Sequence, residues 1–246
     1  MVGIVANLRR LVRGIGLDVV SYPRWNTAPW ALKHLLPQLR ITCVLDVGGH
    51  HGEYGLMLRE MGYQGHIVSF EPVPESFAVL KERCAGDPRW HAHPYALGAE
   101  AGVLPLHITR ESDFVSFLDP DLERGGHFAT ALAVERSQEV PVKRLDEVLD
   151  DCIAHISDPV LFLKSDTQGY DFHVLEGLGA RIGEIRGLQI EVALQPLYRG
   201  MKGFNESIST LGELGFELFC LSPITHDESY RVIEYDCLMR RAPTST

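Results

Sequence analysis

The tightest constraint on this chain lies in residues 43–61. There an apolar run, Cys43-Val44-Leu45-Asp46-Val47, enters the turn Gly48-Gly49-His50-His51-Gly52, and a helical stretch over 53–61 follows at once. Strand, tight turn and helix make half of a βαβ unit, and the rhythm repeats. His66–Phe70 reads as a second strand, followed by Glu71-Pro72 and a helix over 74–84; a third strand is predicted around Trp90–Tyr95. Val160–Ser165 and Gly187–Leu194 are further strands, with helices over 171–178 and 204–214. Phe216–Leu221 and Val232–Met239 alternate as a closing antiparallel pair around the turn-rich Ser222–Ser229. The expectation is an α/β, Rossmann-like fold: a mostly parallel twisted sheet, helices on both faces and a C-terminal antiparallel hairpin. With 246 residues, one such domain over 41–246 preceded by a helical leader or cap over 1–40 accounts for the chain.

The glycine turn sits where open α/β sheets bind ligands, beyond the carboxyl ends of the strands. Gly48, Gly49 and Gly52 let the backbone approach a ligand closely, and the next helix offers free N–H groups to an anion. A dinucleotide fingerprint ending at Gly52 needs glycine at position 47, which is Val47. Asp46, at the strand end, would repel a pyrophosphate but suits a ligand carrying an ammonium and a sulfonium, such as S-adenosylmethionine. Its methionine carboxylate would then meet the turn, with His50 beside it. Glu71, ending the second strand, is placed to accept hydrogen bonds from ribose hydroxyls, and Ala96 and Leu97 to frame an adenine ring.

Three further groups carry candidate chemistry. Lys164 and Asp166 are two apart on one strand and share a face, with Asp166 at the strand tip. Glu191 lies inside the next apolar strand, where an unpaired carboxylate would be costly; an ion pair between Lys164 and Glu191 is the structural alternative to catalysis. His91 and His93 alternate on the third strand but lack a third ligand, and no carboxylate cluster assembles around Asp166, so no metal is expected. His51 is expected in solvent. Val103–Thr109 and Val140–Lys143 read as short strands bounding a polar, turn-rich stretch. That stretch, 111–136, and the leader with Trp25 and Trp30 are candidates for acceptor recognition, as are Tyr198 and Arg199.

In order along the chain, Asp46-Val47-Gly48 through Gly52-Glu53-Tyr54, Phe70-Glu71-Pro72, Ala96-Leu97-Gly98, Val140-Pro141-Val142 with Leu145-Asp146, and Leu163 through Tyr170 form a series. It is completed by Gln189-Ile190-Glu191-Val192 and Tyr235-Asp236-Cys237-Leu238. Over roughly 41–240 this series resembles the FkbM family of S-adenosylmethionine-dependent methyltransferases. It departs at Gly49 and His50, where the family usually has Ala and Asn, and at Ser112 and Ser116, which are separated where the family often pairs serines. The resemblance implies a class I methyltransferase fold, S-adenosylmethionine as cofactor, and methyl transfer to a hydroxyl of a sugar, glycolipid or secondary metabolite. Asp166, Lys164 and Glu191 are the candidate catalytic residues, and Asp166, at the strand end where the cofactor's methyl should point, is a cofactor-binding candidate as well. The alternatives are a nicotinamide-dependent oxidoreductase and a non-catalytic S-adenosylmethionine-binding module.

Net charge narrows the partners. At −10 the chain is unsuited to general nucleic-acid binding, and Ser165-Asp166-Thr167-Gln168 is not a nucleic-acid amine-methylating motif. Five scattered cysteines without a CxxC pair fit the reducing cytoplasm. Residues 4–13 form a short basic amphipathic pattern, a domain cap or a peripheral membrane contact near a lipid-linked acceptor.

Overall fold

The computed structural model describes residues 27–110 and 114–242. The expected N-terminal amphipathic helix and Trp25 lie outside the described residues. The first element is helix α1 (Ala28–Gln38), opened by Thr27, whose hydroxyl accepts from the Trp30 amide, and by Pro29 in the first turn. Strand β1 (Cys43–Val47), helix α2 (Glu53–Glu60), strand β2 (His66–Phe70), helix α3 (Pro74–Cys84) and strand β3 (Trp90–His93) follow. Next come three strands, β4 (Ala96–Leu97), β5 (Gly102–Thr109) and β6 (Val134–Lys143), and helix α4 (Leu145–Ile153). Strand β7 (Leu161–Ser165), helix α5 (Asp171–Glu176), strand β8 (Ile185–Ala193), helix α6 (Phe204–Glu213) and strands β9 (Phe216–His226) and β10 (Val232–Arg241) complete the chain.

The main sheet has the order β3-β2-β1-β7-β8-β10-β9. The first five strands pair in parallel, whereas β10 runs antiparallel to both β8 and β9. This is the mostly parallel sheet with a C-terminal antiparallel hairpin that the strand rhythm implied. Strand β6 starts at Val134 and the hairpin strands run to His226 and Arg241, further than the sequence pattern gave. The reason is that each extension is satisfied by backbone pairing rather than by apolar burial: residues 134–139 are mostly exposed.

Alternation along the strands feeds two cores. Leu45, Val47, Phe70, Leu163 and Ile190 face α4, α5 and α6. Val44, Ile67, Phe162 and Leu238 face the other way, onto Leu32 and Leu35 of α1, Leu58 of α2 and Leu80 of α3. Helix α1 thus buries its apolar stripe against the sheet. A second sheet, in the order β4-β6-β5, supports a small apolar cluster in which Val73, Leu106 and Val140 are buried and Ile108, Val115 and Phe117 pack against them. Among the described residues no helix is long and apolar enough to cross a membrane.

Candidate active site

Strand order reverses between β1 and β7, and the carboxyl tips on either side bound a cleft of about 1060 Å³. The turn after β1 is fixed by backbone geometry. Gly48 has φ +74°, and a Cβ there would stand 2.0 Å from the Asp166 carbonyl oxygen, so only glycine fits. The amides of Gly48 and Gly49 both donate to the Phe70 carbonyl, at 3.1 and 3.0 Å, tying the turn to β2. His50 follows at φ +45°, a left-handed conformation that histidine and asparagine adopt more readily than most residues. That accounts for His50 standing where the resemblance leads one to expect Asn.

Glu71 closes the other side of this turn. Only 5% exposed, its two carboxylate oxygens accept from the amides of His50 and Val73, each at 2.8 Å. Burial pushes its carboxyl up, against the pull of those two amides and of the nearby His50 and Lys164 charges. Each oxygen keeps a lone pair for a further donor.

Beneath the turn lies a buried ion cluster. Asp46 and Lys164 are register partners on β1 and β7, and Asp46 and Ser69 on β1 and β2. Lys164 Nζ stands 3.2 Å from Asp46 Oδ1 and 3.5 Å from Asp166 Oδ2, and donates to the Gly48 carbonyl at 3.0 Å. Asp46 Oδ2 accepts from the Ser69 hydroxyl at 2.8 Å, which in turn accepts from Trp90 Nε1. Burial alone would lower the Lys164 pKa, but Asp46 and Asp166 outweigh it and raise it, so Lys164 stays an ammonium. A raised pKa makes Lys164 a poorer proton acceptor than an ordinary lysine.

The far wall is acidic. Asp166 lies 40% exposed at the tip of β7, and the amide of Gln168 bridges Asp166 and Glu191 at 3.3 and 3.2 Å. Glu191 on β8 is the register partner of Asp236 on β10, and Glu234 opposes Ala193 beside them. Like charges so placed repel, and with burial they raise the carboxyls of Glu191, Glu234 and Asp236. Glu191 is driven well above its ordinary value, by burial first and then by Asp166, Glu234, Asp171 and Asp236. Glu234 is raised to about 7 and Asp236 to about 6, again by burial first. Tyr54 donates to Gln189, and Gln189 donates to Asp236 at 2.7 Å, which links α2 to this wall. Asp171, buried below, accepts from Ser165, Thr167 and the Thr167 amide and braces the β7 turn.

The remaining wall is apolar. Leu106 and Ile108 of β5 and Phe114, Phe117 and Phe128 of the connection to β6 face the cleft. Tyr198, 3% exposed, holds its hydroxyl within donating distance of both the Phe114 carbonyl and Gln168 Oε1, so it fixes this connection rather than lining the opening. Trp30 packs against the α1 side of the core.

Of the residues singled out from sequence, Gly48, Gly49, His50, Glu71, Ala96, Leu97, Lys164, Asp166 and Glu191 all line the cleft. Two expectations need correction. Asp46 is fully buried one layer beneath the wall, where it pairs with Lys164 and accepts from Ser69, and it does not itself line the cleft. Gly52 faces Leu80 and Trp90, 3.0 and 3.2 Å from a would-be Cβ, and its φ of +92° starts α2. The alternative pairing of Lys164 with Glu191 does not form, since Asp46 and Asp166 take the ammonium. Acids beyond Asp166 and Glu191 do line the cleft, because β10 runs antiparallel beside β8 and supplies Glu234 and Asp236, but among the described residues the close ligand groups are His66, His91 and His155, and His50, His51 and Glu53. Two acids two apart in an otherwise apolar strand were the available signal. His51, 35% exposed, stacks on His50 and pairs with Glu53 at 3.7 Å instead of standing free in solvent. His93 stacks on Phe70, whereas His91 turns to His66 and His155, so His91 does have further ligands beside it.

Comparison with known proteins adds the following. The model of a family described as the methyltransferase FkbM domain matches residues 46–218. No curated protein matches the chain. Among solved structures, a fibrillarin from Aeropyrum pernix with natively bound S-adenosyl-L-methionine is similar at 11% identity and TM-score 0.44, over 80% of this chain and 66% of that one. This chain therefore spans just under two thirds of the fibrillarin. A 1,6-didemethyltoxoflavin-N1-methyltransferase from Burkholderia thailandensis is similar at 12% identity and TM-score 0.46, over 89% of this chain and 80% of that one. A precorrin-6y C5,15-methyltransferase from Geobacter metallireducens is similar at 9% identity and TM-score 0.44, over 91% and 93%.

Proposed function

The chain belongs to the FkbM methyltransferase family, and on that premise we propose that this S-adenosylmethionine-dependent methyltransferase methylates a hydroxyl oxygen on a sugar, glycolipid or secondary metabolite. The residues present fit the cofactor. Glu71 keeps lone pairs for the ribose hydroxyls, and Gly48 and Gly49 bring bare backbone to the cleft for the methionine end. His50 Nε2 is buried without a hydrogen-bond partner at the same edge. Ala96 and Leu97 offer a small apolar surface for the adenine. When bound, S-adenosylmethionine supplies a methyl group activated by its sulfonium.

The observation that carries the oxygen assignment is the carboxylate wall. A hydroxyl is a weak nucleophile and must lose its proton to a base close by. Glu191 and Glu234 stand at the cleft with carboxyls raised by burial and by their acidic neighbours, Glu234 to about 7, so each takes up a proton more readily than a surface acid does. Asp166 and Gln168 position the acceptor, and Lys164 keeps the Asp166 carboxylate and the glycine turn in place. The phenylalanines of the β5–β6 connection exclude water and suit an acceptor with an apolar face. Five free, buried cysteines fit a cytoplasmic enzyme, and the net charge of −10 fits a small-molecule or glycolipid acceptor rather than nucleic acid. Any membrane contact would come from residues 4–13.

The test is to incubate the enzyme and S-adenosylmethionine with hydroxylated glycans, glycolipid headgroups and cell extracts, and to locate the added methyl by tandem mass spectrometry. A product one CH₂ heavier, methylated on oxygen, is the expected result. A methyl found only on nitrogen or carbon would overturn the oxygen assignment.

A further inference from the structure

A second cluster of ligand-type side chains lies at the other end of the sheet. His66 opens β2, at the opposite end of that strand from Glu71; His91 is the second residue of β3; His155 follows the last residue of α4 by two positions. Three chain segments distant in sequence thus converge. Each residue offers one ring nitrogen, and the three nitrogens lie within 4.8 Å of one another. The rings already touch edge to face, with centroids 4.3 Å apart for His91 and His155 and 5.1 Å for His66 and His155. An independent observation concerns hydrogen bonding. His66 Nδ1 and His91 Nε2 are buried and have no hydrogen-bond partner, a rare and costly condition for a polar atom. A nitrogen lone pair with no proton to accept is what a cation needs.

We propose that His66, His91 and His155 bind a divalent transition-metal ion of the zinc class, which clamps β2, β3 and the end of α4 together. Neutral imidazoles select zinc, nickel, cobalt or copper over magnesium and calcium, which prefer oxygen. Zinc bonds to nitrogen at about 2.0–2.1 Å, so tetrahedral ligand nitrogens sit about 3.4 Å apart. Even at the 4.8 Å limit each nitrogen needs to close by no more than roughly an ångström, and the exposed His155 is free to swing inward. Three ring nitrogens leave the fourth position to water. Nearby positive charge is engaged elsewhere: Arg59 is paired with Asp87 at 2.6 Å, and the Arg89 guanidinium donates to the Gln64 carbonyl. The site is separate from the methyl-transfer cleft, and its test does not depend on that activity.

The experiment is calorimetric titration of Zn²⁺ into the chelator-stripped full chain carrying His50→Ala and His51→Ala. Those changes silence the other close group of ligands, His50, His51 and Glu53. One equivalent is expected to bind and to raise the melting temperature. Cobalt in place of zinc should give the visible absorption of a nitrogen-rich tetrahedral site. His155→Ala, an exposed change that leaves the fold intact, should weaken binding about tenfold or more, since even outer-shell changes at metal sites cost about 10–100-fold. His66→Gln and His91→Gln should do the same. Binding unaffected by His155→Ala, or no saturable binding in the background chain, would overturn the proposal.

Discussion

Replacing Lys164 by methionine tests how the site is held together. The side chain is 6% exposed, and its ammonium is the cation nearest to Asp46, whose side chain is wholly buried. Methionine fills a similar volume but leaves the Asp46 carboxylate facing apolar surroundings with only the Ser69 hydroxyl as partner. Breaking a buried pair in this way costs about 3–5 kcal/mol. The second partner, Asp166, is 40% exposed and rehydrates, so it adds little. For a domain of this size each kcal/mol lowers the melting temperature by about 2–4 °C, giving an expected drop of about 6–20 °C. Thermal and urea unfolding without ligand would read it. Adding Asp46→Asn should restore most of the loss, because the stranded charge is then gone. A Lys164→Met variant destabilised by less than about 1 kcal/mol, the range of a surface pair, would refute this account of the cluster.

Gly48→Ala should abolish S-adenosylmethionine binding and lower stability, because its Cβ would meet the Asp166 carbonyl at 2.0 Å; Gly49→Ala, with nearest atoms at 3.1–3.4 Å, should retain binding by calorimetry. Glu71→Gln should weaken the cofactor about ten- to a hundredfold, the range for a lost charge-assisted hydrogen bond, with the fold preserved by circular dichroism. Glu234 and Asp236 hold protons in the folded state up to about 7 and 6, above their ordinary values, so the native chain binds more protons than the unfolded one between about pH 4 and 7. Stability contributed by these acids is therefore present at the acid end and lost as pH rises through that window; urea midpoints should show it, and Glu234→Gln should flatten the slope. A cationic ligand favours the ionised forms, so S-adenosylmethionine binding near pH 6.5 should release protons, seen as a buffer dependence of the binding enthalpy.

Much of the fold was legible because its local signals agree. Short, nearly continuous apolar runs at Cys43–Val47 and Leu161–Ser165 mark two strands buried on both faces, as in a parallel sheet, and Gly48, with its positive φ, marks the turn between strand and helix. Glu71, immediately before Pro72, could be assigned to a strand tip for the same reason. The layer to which a side chain belongs was not legible. Asp46 and Glu71 both end strands, yet Asp46 turns under the sheet toward Lys164 while Glu71 faces the cleft. Residues contributed across long separations were also hidden: Glu234 reaches Glu191 only because β10 inserts between β8 and β9, and His155 reaches His91 only because α4 packs back across the sheet. Spacing along one strand, as for His91 and His93, says nothing of such neighbours.

The most direct measurement is a crystal structure of the chain with S-adenosylhomocysteine. Both ribose hydroxyls should donate to Glu71, the carboxylate should rest on the Gly48-Gly49 backbone, and the sulfur should open toward Asp166, Glu191 and Glu234. A ribose held elsewhere, with the sulfur turned from the acidic wall, would contradict the central claim.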